Sequence, residues 1–355
     1  HSIIATQPLN LALFNATDNY VLIDNTGNFT IAVPITQSST GYNFGRAGTG
    51  TGVLILTNGS NTYTGQTRLL AGTIRPTVAG ALPAATTVNF TNASGTNAVL
   101  DLSTAGISHT VTALSGGNSN SSITFITNTG TLTLNGGAAT STTTYSGIIT
   151  GTGKLAKSGS TIQVLTGNNT FTGTTTITGG ELRFLPAGAG TYASQILLNG
   201  GTLGTTGIAS SASLTSSSSL QLLASSNINL GSNPHSLVFA ASNGVGWTAG
   251  QTILVNGWTG SNGTSGTGGK LFVGNSATGL TSGQLAQIQF VIGGNNVAAM
   301  QMSTGEVVPV TTGPTVTTTL APSSITESSA ITGGSTITGT VTAKGAVWNT
   351  ATAPT

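Results

Sequence analysis

The 355-residue chain contains no cysteine, which excludes disulfide staples, thiolate metal sites and cysteine nucleophiles. Charge is almost as scarce. The 8 Lys+Arg and 6 Asp+Glu make up 4 % of the residues, where soluble domains carry about 25 %. Neither a cytosolic globular enzyme nor a nucleic-acid binder has such a composition, and a net charge of +2 gives no electrostatic footprint for a polyanion. Aromatic residues are only 5 %. No apolar run reaches the roughly 18 residues that a membrane-spanning helix needs. Sustained i, i+3, i+4 apolar spacing is also missing, which predicts very little helix. The chain begins at His1 with no basic-then-apolar leader, the pattern expected of a processed, exported chain or of a fragment.

What is present is Gly, Ser and Thr: 52 Gly, 68 Thr and 38 Ser, together 158 of the 355 residues. With 37 % apolar residues beside so little charge, the chain is predicted to fold rather than to be disordered. Short β-branched runs recur, among them 53–56, 88–90, 99–102, 123–126, 131–134, 174–178 and 196–198, separated by Asn-Gly, Gly-Gly and Ser-Gly pairs. These are strand and turn signals, and the chain is predicted to be all-β. One short helical turn is predicted over 281–287, with Thr281 or Ser282 as its cap.

An internal repeat narrows the choice of fold. Asn61-Thr-Tyr-Thr-Gly-Gln-Thr67 aligns without gaps on Asn169-Thr-Phe-Thr-Gly-Thr-Thr175, and Gly72-Thr-Ile-Arg75 on Gly180-Glu-Leu-Arg183, at one offset of 108 over fifteen positions. If a solenoid coil takes roughly 20–25 residues, that offset corresponds to about five coils. A parallel β-solenoid suits the rest of the pattern, with Val, Ile, Leu and Ala inside, Thr outside, and Gly or Asn at the turns. A sandwich would have fewer Gly and more aromatic core residues; a narrow solenoid core is expected to have little room for them.

Residues 140–182, with Tyr145-Ser-Gly-Ile-Ile149, Gly151-Thr-Gly-Lys-Leu155, Lys157-Ser-Gly159, Asn168-Asn-Thr-Phe171 and Gly179-Gly180, closely resemble the passenger-associated transport repeat of bacterial autotransporters and related giant surface proteins. A shorter copy covers 48–74, with Val53-Leu-Ile-Leu56 where the second carries its two Lys. The resemblance implies a right-handed parallel β-helix exported across the outer membrane. At the C-terminus, Thr338-Gly-Thr-Val-Thr342, Lys344-Gly345 and Val347-Trp348 look like the start of an immunoglobulin- or fibronectin-like repeat of large secreted Bacteroidetes proteins. A sandwich needs about 100 residues, so the native polypeptide is expected to continue past Thr355. The predicted order is an N-terminal β cap over 1–48, a parallel β-helix over 49–305, a Pro/Thr-rich linker over 306–322 and the start of the sandwich at 323–355.

The few chemically active side chains form no catalytic pattern. Asp18 and Asp24 form the one close acid pair, and their Asn-rich surroundings predict turn or capping roles. Asp101, Glu306 and Glu327 stand apart, whereas Glu181 and Arg183 share one strand face, where a weak exposed ion pair is expected. His1, His109 and His235 have no metal-binding spacing. No catalytic residue, metal or cofactor is assigned. Trp247 and Trp258 are candidate ligand-stacking residues, since exposed aromatic faces pack on sugar rings. Thr arrays over 174–178 and 336–342 raise the alternative of a flat hydroxyl lattice for ice or glycan.

The composition and resemblances together predict a non-enzymatic, secreted structural or adhesive protein on the surface of a Gram-negative cell. Its expected partners are the outer-membrane export machinery, by an autotransporter or a type IX route, then glycans, other cells or substrata, and further copies of itself. The alternatives are a polysaccharide-active enzyme or an ice- or glycan-binding module on the same fold.

Overall fold

The computed structural model describes residues 2–3, 11–13, 18–125, 128–137, 141–186, 189–209, 211–311, 315–318 and 335–338. Through the first compact unit, which ends at Pro309, the chain is a parallel β-solenoid of about 10 turns. Each turn lays short strands on up to three faces. On the longest face twelve strands stack in parallel register, from Asp18–Leu22, Asn43–Ala47 and Thr67–Leu69 up to Ile253–Asn256 and Ile288–Ile292. A second face runs from His109–Val111 through Thr131–Gly136, Lys154–Gly159, Thr175–Ile177 and Ile196–Asn199 to the later half of Ser213–Ala224. The third runs from Phe29–Ile31 through Val53–Leu56, Gly72–Pro76, Ala98–Asp101 and Ser121–Phe125 to Ile148–Gly151.

Because side chains alternate along a strand while the register is kept from coil to coil, identical positions stack into columns. Leu54, Ile74, Leu100, Ile123 and Ile149 form one such inner column. Leu182, Leu203, Ile228, Val255 and Phe290 form another, and all ten side chains are fully buried. Each contributes roughly 1.5–3 kcal/mol of apolar burial, so the stack supplies its own core without disulfides.

Aromatic residues occupy this core more than expected. Phe44, Tyr63, Phe90, Phe125, Tyr145, Phe171, Phe184, Phe239, Trp258 and Phe290 are all buried. Many pack in pairs, Phe44 on Tyr63 at 5.5 Å and Phe90 on Tyr145 at 4.9 Å between ring centroids. The interior is therefore wide enough for a ring, both within strands, as at Phe44 and Phe290, and between them, as at Tyr63 and Phe171.

Coil length varies widely. Register partners Leu165 and Phe184 are 19 residues apart in the chain, while Val255 and Phe290 are 35 apart. Where Ala113–Gly116 and Thr142–Tyr145 pair at Gly116 and Tyr145 alone, Gln163 of the following coil reaches inward. Its Oε1 accepts from Leu114 N and its Nε2 donates to Leu114 O, both at 3.0 Å. One side-chain amide thereby replaces a missing rung of the ladder.

The predicted helical turn is an α-helix over Ser282–Ala286, N-capped by Thr281 in a capping box with Gln284. Within the expected N-terminal cap over 1–48, the described strands Phe29–Ile31 and Asn43–Ala47 already belong to the stack, since they pair in parallel with later strands. Glu306–Pro309, expected to open the linker, is a buried strand. It pairs antiparallel with Gly269–Val273 and Asn295–Gln301, and Asn295–Gln301 pairs antiparallel with Ile288–Ile292. Reversing strand direction here covers backbone that a bare last coil would leave open to edge pairing. The second unit begins at Val310; within it Thr315–Thr318 pairs antiparallel with Ser335–Thr338. The rest of the 323–355 segment, including Trp348, lies outside the described residues.

Candidate functional site

The two candidate tryptophans have different fates. Trp258 is 5 % exposed and edge-on to Phe290 at 5.8 Å. A Cβ on Gly260 or Gly266 would collide with its ring. It is therefore a core residue, and the stacking role expected of it is corrected: a face with no solvent access cannot receive a ligand.

Trp247 is half-buried and lines an open cleft of about 380 Å³. Its indole Nε1 donates to Leu220 O at 3.1 Å, and Gln221 Nε2 of the same lower coil donates to Gly246 O at 2.8 Å. From above, the short helix holds the loop: Gln284 Nε2 donates to Ser242 O and Val245 O at 2.8 and 2.7 Å. Gln287 Nε2 donates to Thr248 O and Gln251 O at 2.7 and 2.9 Å. The ring is thus held by the lower coil, and the loop that carries it by both neighbouring coils. Among the described residues no charged side chain lines the cleft.

Among the described residues the carboxylates do not assemble into a catalytic pair. Asp18 accepts from Arg68 Nη1 at 2.5 Å and from Asn43 Nδ2 at 3.1 Å. Burial alone would raise the Asp18 carboxyl, but these hydrogen bonds outweigh it and hold its pKa below the usual value. This is a cross-coil pairing rather than the predicted turn cap. Asp24 also bonds across coils, accepting from Thr49 N, 25 residues further along the chain, at 2.9 Å. Asp101 pairs with Arg75 at 2.7 Å. Glu181 accepts both Arg183 Nε and Nη2, at 2.8 and 3.0 Å, and is 8 % exposed, so the pair is better shielded than expected. Glu306 accepts Ser265 Oγ and Gly266 N.

His235 is held by Asn233 O and Thr205 Oγ1, each at 2.7 Å. His109 is buried with neither ring nitrogen hydrogen-bonded, and burial pushes its pKa down to about 4. Among the described residues no three His, Asp or Glu side chains converge on a metal position. His1 and Glu327 lie outside them. The outward column through the 174–178 array reads Thr110, Thr133, Ala156, Thr176, Leu197 and Gln221. Ala156 and Leu197 interrupt the hydroxyls, so no continuous lattice forms there. The side chains of the 336–342 array lie outside the described residues.

Sequence reading missed two fully buried cations, Arg46 and Lys157. Each interrupts an otherwise apolar inner column and is covered by a transport repeat: Arg46 is in register with Leu69, Lys157 with Ile177. Arg46 donates to the carbonyls of Ala47, Gly48, Gly50, Gly52 and Ile23. Lys157 donates to those of Ser158, Gly159 and Gly179. Both begin the same short pattern, a cation followed two positions later by a positive-φ glycine, Gly48 or Gly159. That spacing was the available signal.

The passenger-associated-transport-repeat family matches residues 49–75 and 155–184; the first segment follows Arg46 and supplies the Thr67–Leu69 strand over it, and the second contains both Lys157 and the Thr175–Ile177 strand over it. The adhesin BmaC autotransporter of Brucella suis biovar 1 (strain 1330) is 35 % identical to the chain over 226 residues, 56 % of this chain. The chain spans about 6 % of the length of that curated relative. No solved structure matches it. No helix among the described residues is long and apolar enough to cross a membrane. These findings support a passenger of autotransporter type, similar to a surface adhesin, and give no support to the Bacteroidetes immunoglobulin-like reading.

Proposed function

We propose that this chain is a length of the extracellular rod of an adhesive surface passenger, exported across a Gram-negative outer membrane by the autotransporter route. The observation that carries this reading is the coincidence of the two transport repeats with two stretches of one parallel β-solenoid, in a chain whose relative is an adhesin. Mechanically, a solenoid is a stiff one-dimensional stack stabilised by nearest-neighbour coils, which suits holding a binding surface away from a membrane. Low charge density suits the same role, because few interactions are lost to salt. A polysaccharide-cleaving enzyme would need two carboxylates facing one cleft, and the described acids are instead spent on Arg side chains and on hydroxyl or backbone donors.

The test is in-frame removal of this segment from the full-length protein in its own cell. Adherence to host-cell monolayers and to abiotic surfaces is expected to fall several-fold while surface exposure, followed by antibody, persists. Undiminished adherence with the truncated protein displayed at normal levels would overturn the proposal.

A further inference from the structure

The Trp247 cleft has features that the rod alone does not require. An indole ring is held by its Nε1 to the coil below, and the loop around it is fixed by two glutamine amides of the helical coil above. The ring packs against the core on one side and lines open space on the other. Around it stand polar groups with unused valences among the described residues. Asn243 spends its Nδ2 on Thr278 O, leaving Oδ1. Gln287 spends its Nε2 twice, leaving Oε1. Thr281 Oγ1 accepts from Gln284 N and retains its own proton to donate.

We propose that this cleft binds a neutral pyranose unit within a polysaccharide chain. The proposal rests on the adhesive reading above and names the ligand class for it. An aromatic face offers apolar contact to the C–H face of a sugar ring, while two amide oxygens accept and one hydroxyl donates, the complement of ring hydroxyl groups. A uronate or a sialic acid would find no cation, because among the described residues neither Lys nor Arg lines the site. The volume of about 380 Å³ is at the small end of ligand clefts, roughly 300–1,000 Å³. Its openness admits an internal unit of a polymer rather than only a chain end. Rigid attachment to two coils means that little ordering entropy is lost on binding.

The experiment is affinity electrophoresis of the whole chain in gels containing dextran, mannan or laminarin, with hyaluronan as the charged control. At least one neutral polysaccharide is expected to retard the wild-type chain, and hyaluronan is not. Trp247→Ala should weaken retardation at least ten-fold and Trp247→Phe no more than about three-fold. Ala249→Glu places a bulky charge in the cleft at an exposed position and should abolish retardation with an unchanged melting curve. This variant keeps the test decisive if Trp247→Ala does not fold. Equal retardation of Ala249→Glu and wild type, preference for hyaluronan, or no retardation by any neutral polymer would overturn the proposal. Cells displaying Ala249→Glu separate the two readings. If they adhere normally, the cleft is not the adhesive site although the rod reading stands; if deletion of the whole segment leaves adherence intact, the rod reading itself fails.

Discussion

The two transport repeats are alike in sequence yet occupy different faces of the solenoid. In the first, Val53–Leu56, Thr67–Leu69 and Gly72–Pro76 alternate between the face that ends at Ile148–Gly151 and the twelve-strand face. In the second, Ile162–Leu165, Thr175–Ile177 and Glu181–Phe184 alternate between the twelve-strand face and the one that starts at His109–Val111. The offset of 108 residues is thus about four and two-thirds coils rather than the five expected. A repeat that can move to another face of the coil encodes a corner, not a face. Its constant parts are local: Asn61 and Asn169 accept from Ile35 N and Ile149 N at 2.8 and 2.9 Å, and Tyr63 and Phe171 are buried at matching positions. Gly72 and Gly180, both with positive φ, lie so close over Arg46 and Lys157 that a Cβ would collide with the cation.

The cations themselves differ, and replacing them should break the comparison most severely. Arg46 reaches five carbonyls through its two terminal nitrogens while its Nε–H finds no partner, and Lys157 reaches three through its ammonium. Arg46→Leu strands the larger set and is expected to cost about 3–5 kcal/mol, Lys157→Leu about 1–3. Urea unfolding would measure both. Hydrogen exchange should localise the loss to the coils around residues 46–72 in one variant and 157–180 in the other. Equal losses would mean that the carbonyls are rehydrated and that donor number does not matter.

Titration should separate the regions next. Burial pushes the Lys157 ammonium down to about 8 from an ordinary 10.5. Between those values the unfolded chain holds a proton that the folded chain has released. Stability therefore rises with pH across that window, by at most about 3 kcal/mol. Arg46 stays charged throughout, so the first repeat contributes no such rise. The contrast is read as wild type minus Lys157→Leu, since Tyr63 and Tyr145, whose pKa values burial raises, oppose it at the alkaline end in both proteins. His109, on a coil between the repeats, gives the acid counterpart. Its pKa of about 4 against an ordinary 6.5 means that the unfolded chain takes up the proton first. Stability falls as pH drops through that interval, again by at most about 3 kcal/mol. His109→Leu should flatten the acid limb and leave the alkaline one unchanged.

These differences mark how far the amino-acid sequence could be read. Class and architecture were legible because Thr and β-branched residues alternate and the repeat keeps its register. The Thr281 cap was legible because a capping box is a local pattern. The cations were not, because coil length intervenes: Arg46 precedes its partner Leu69 by 23 residues and Lys157 precedes Ile177 by 20. A gapless alignment therefore sets Arg46 opposite Lys154, which is exposed. Trp247 and Trp258 were indistinguishable for a related reason. Which of them faces solvent is decided by the long coil, whose helix covers one side of the Trp247 loop and whose turn closes over Trp258.

The smallest effect concerns the ion pairs, and it tests whether the repeats join coils or only shape them. Arg75 and Arg183 are equivalent at the offset of 108, but each finds its acid elsewhere. The position matching Glu181 is Thr73, so Arg75 reaches Asp101 on the next coil at 2.7 Å. The next-coil neighbour of Arg183 is Gly204, so Arg183 folds back onto Glu181 of its own strand. Partly exposed pairs contribute little, about 0.2–1 kcal/mol, and both Arg→Gln variants should fall in that range. What should differ is location. Arg75→Gln is expected to raise hydrogen exchange in Ala98–Asp101 on the neighbouring coil, because it removes a bond between coils. Arg183→Gln should raise it within Glu181–Phe184 alone. If both variants loosen the neighbouring coil equally, the ion pair is not what couples the coils, and the backbone ladder with its apolar columns carries that coupling in both repeats.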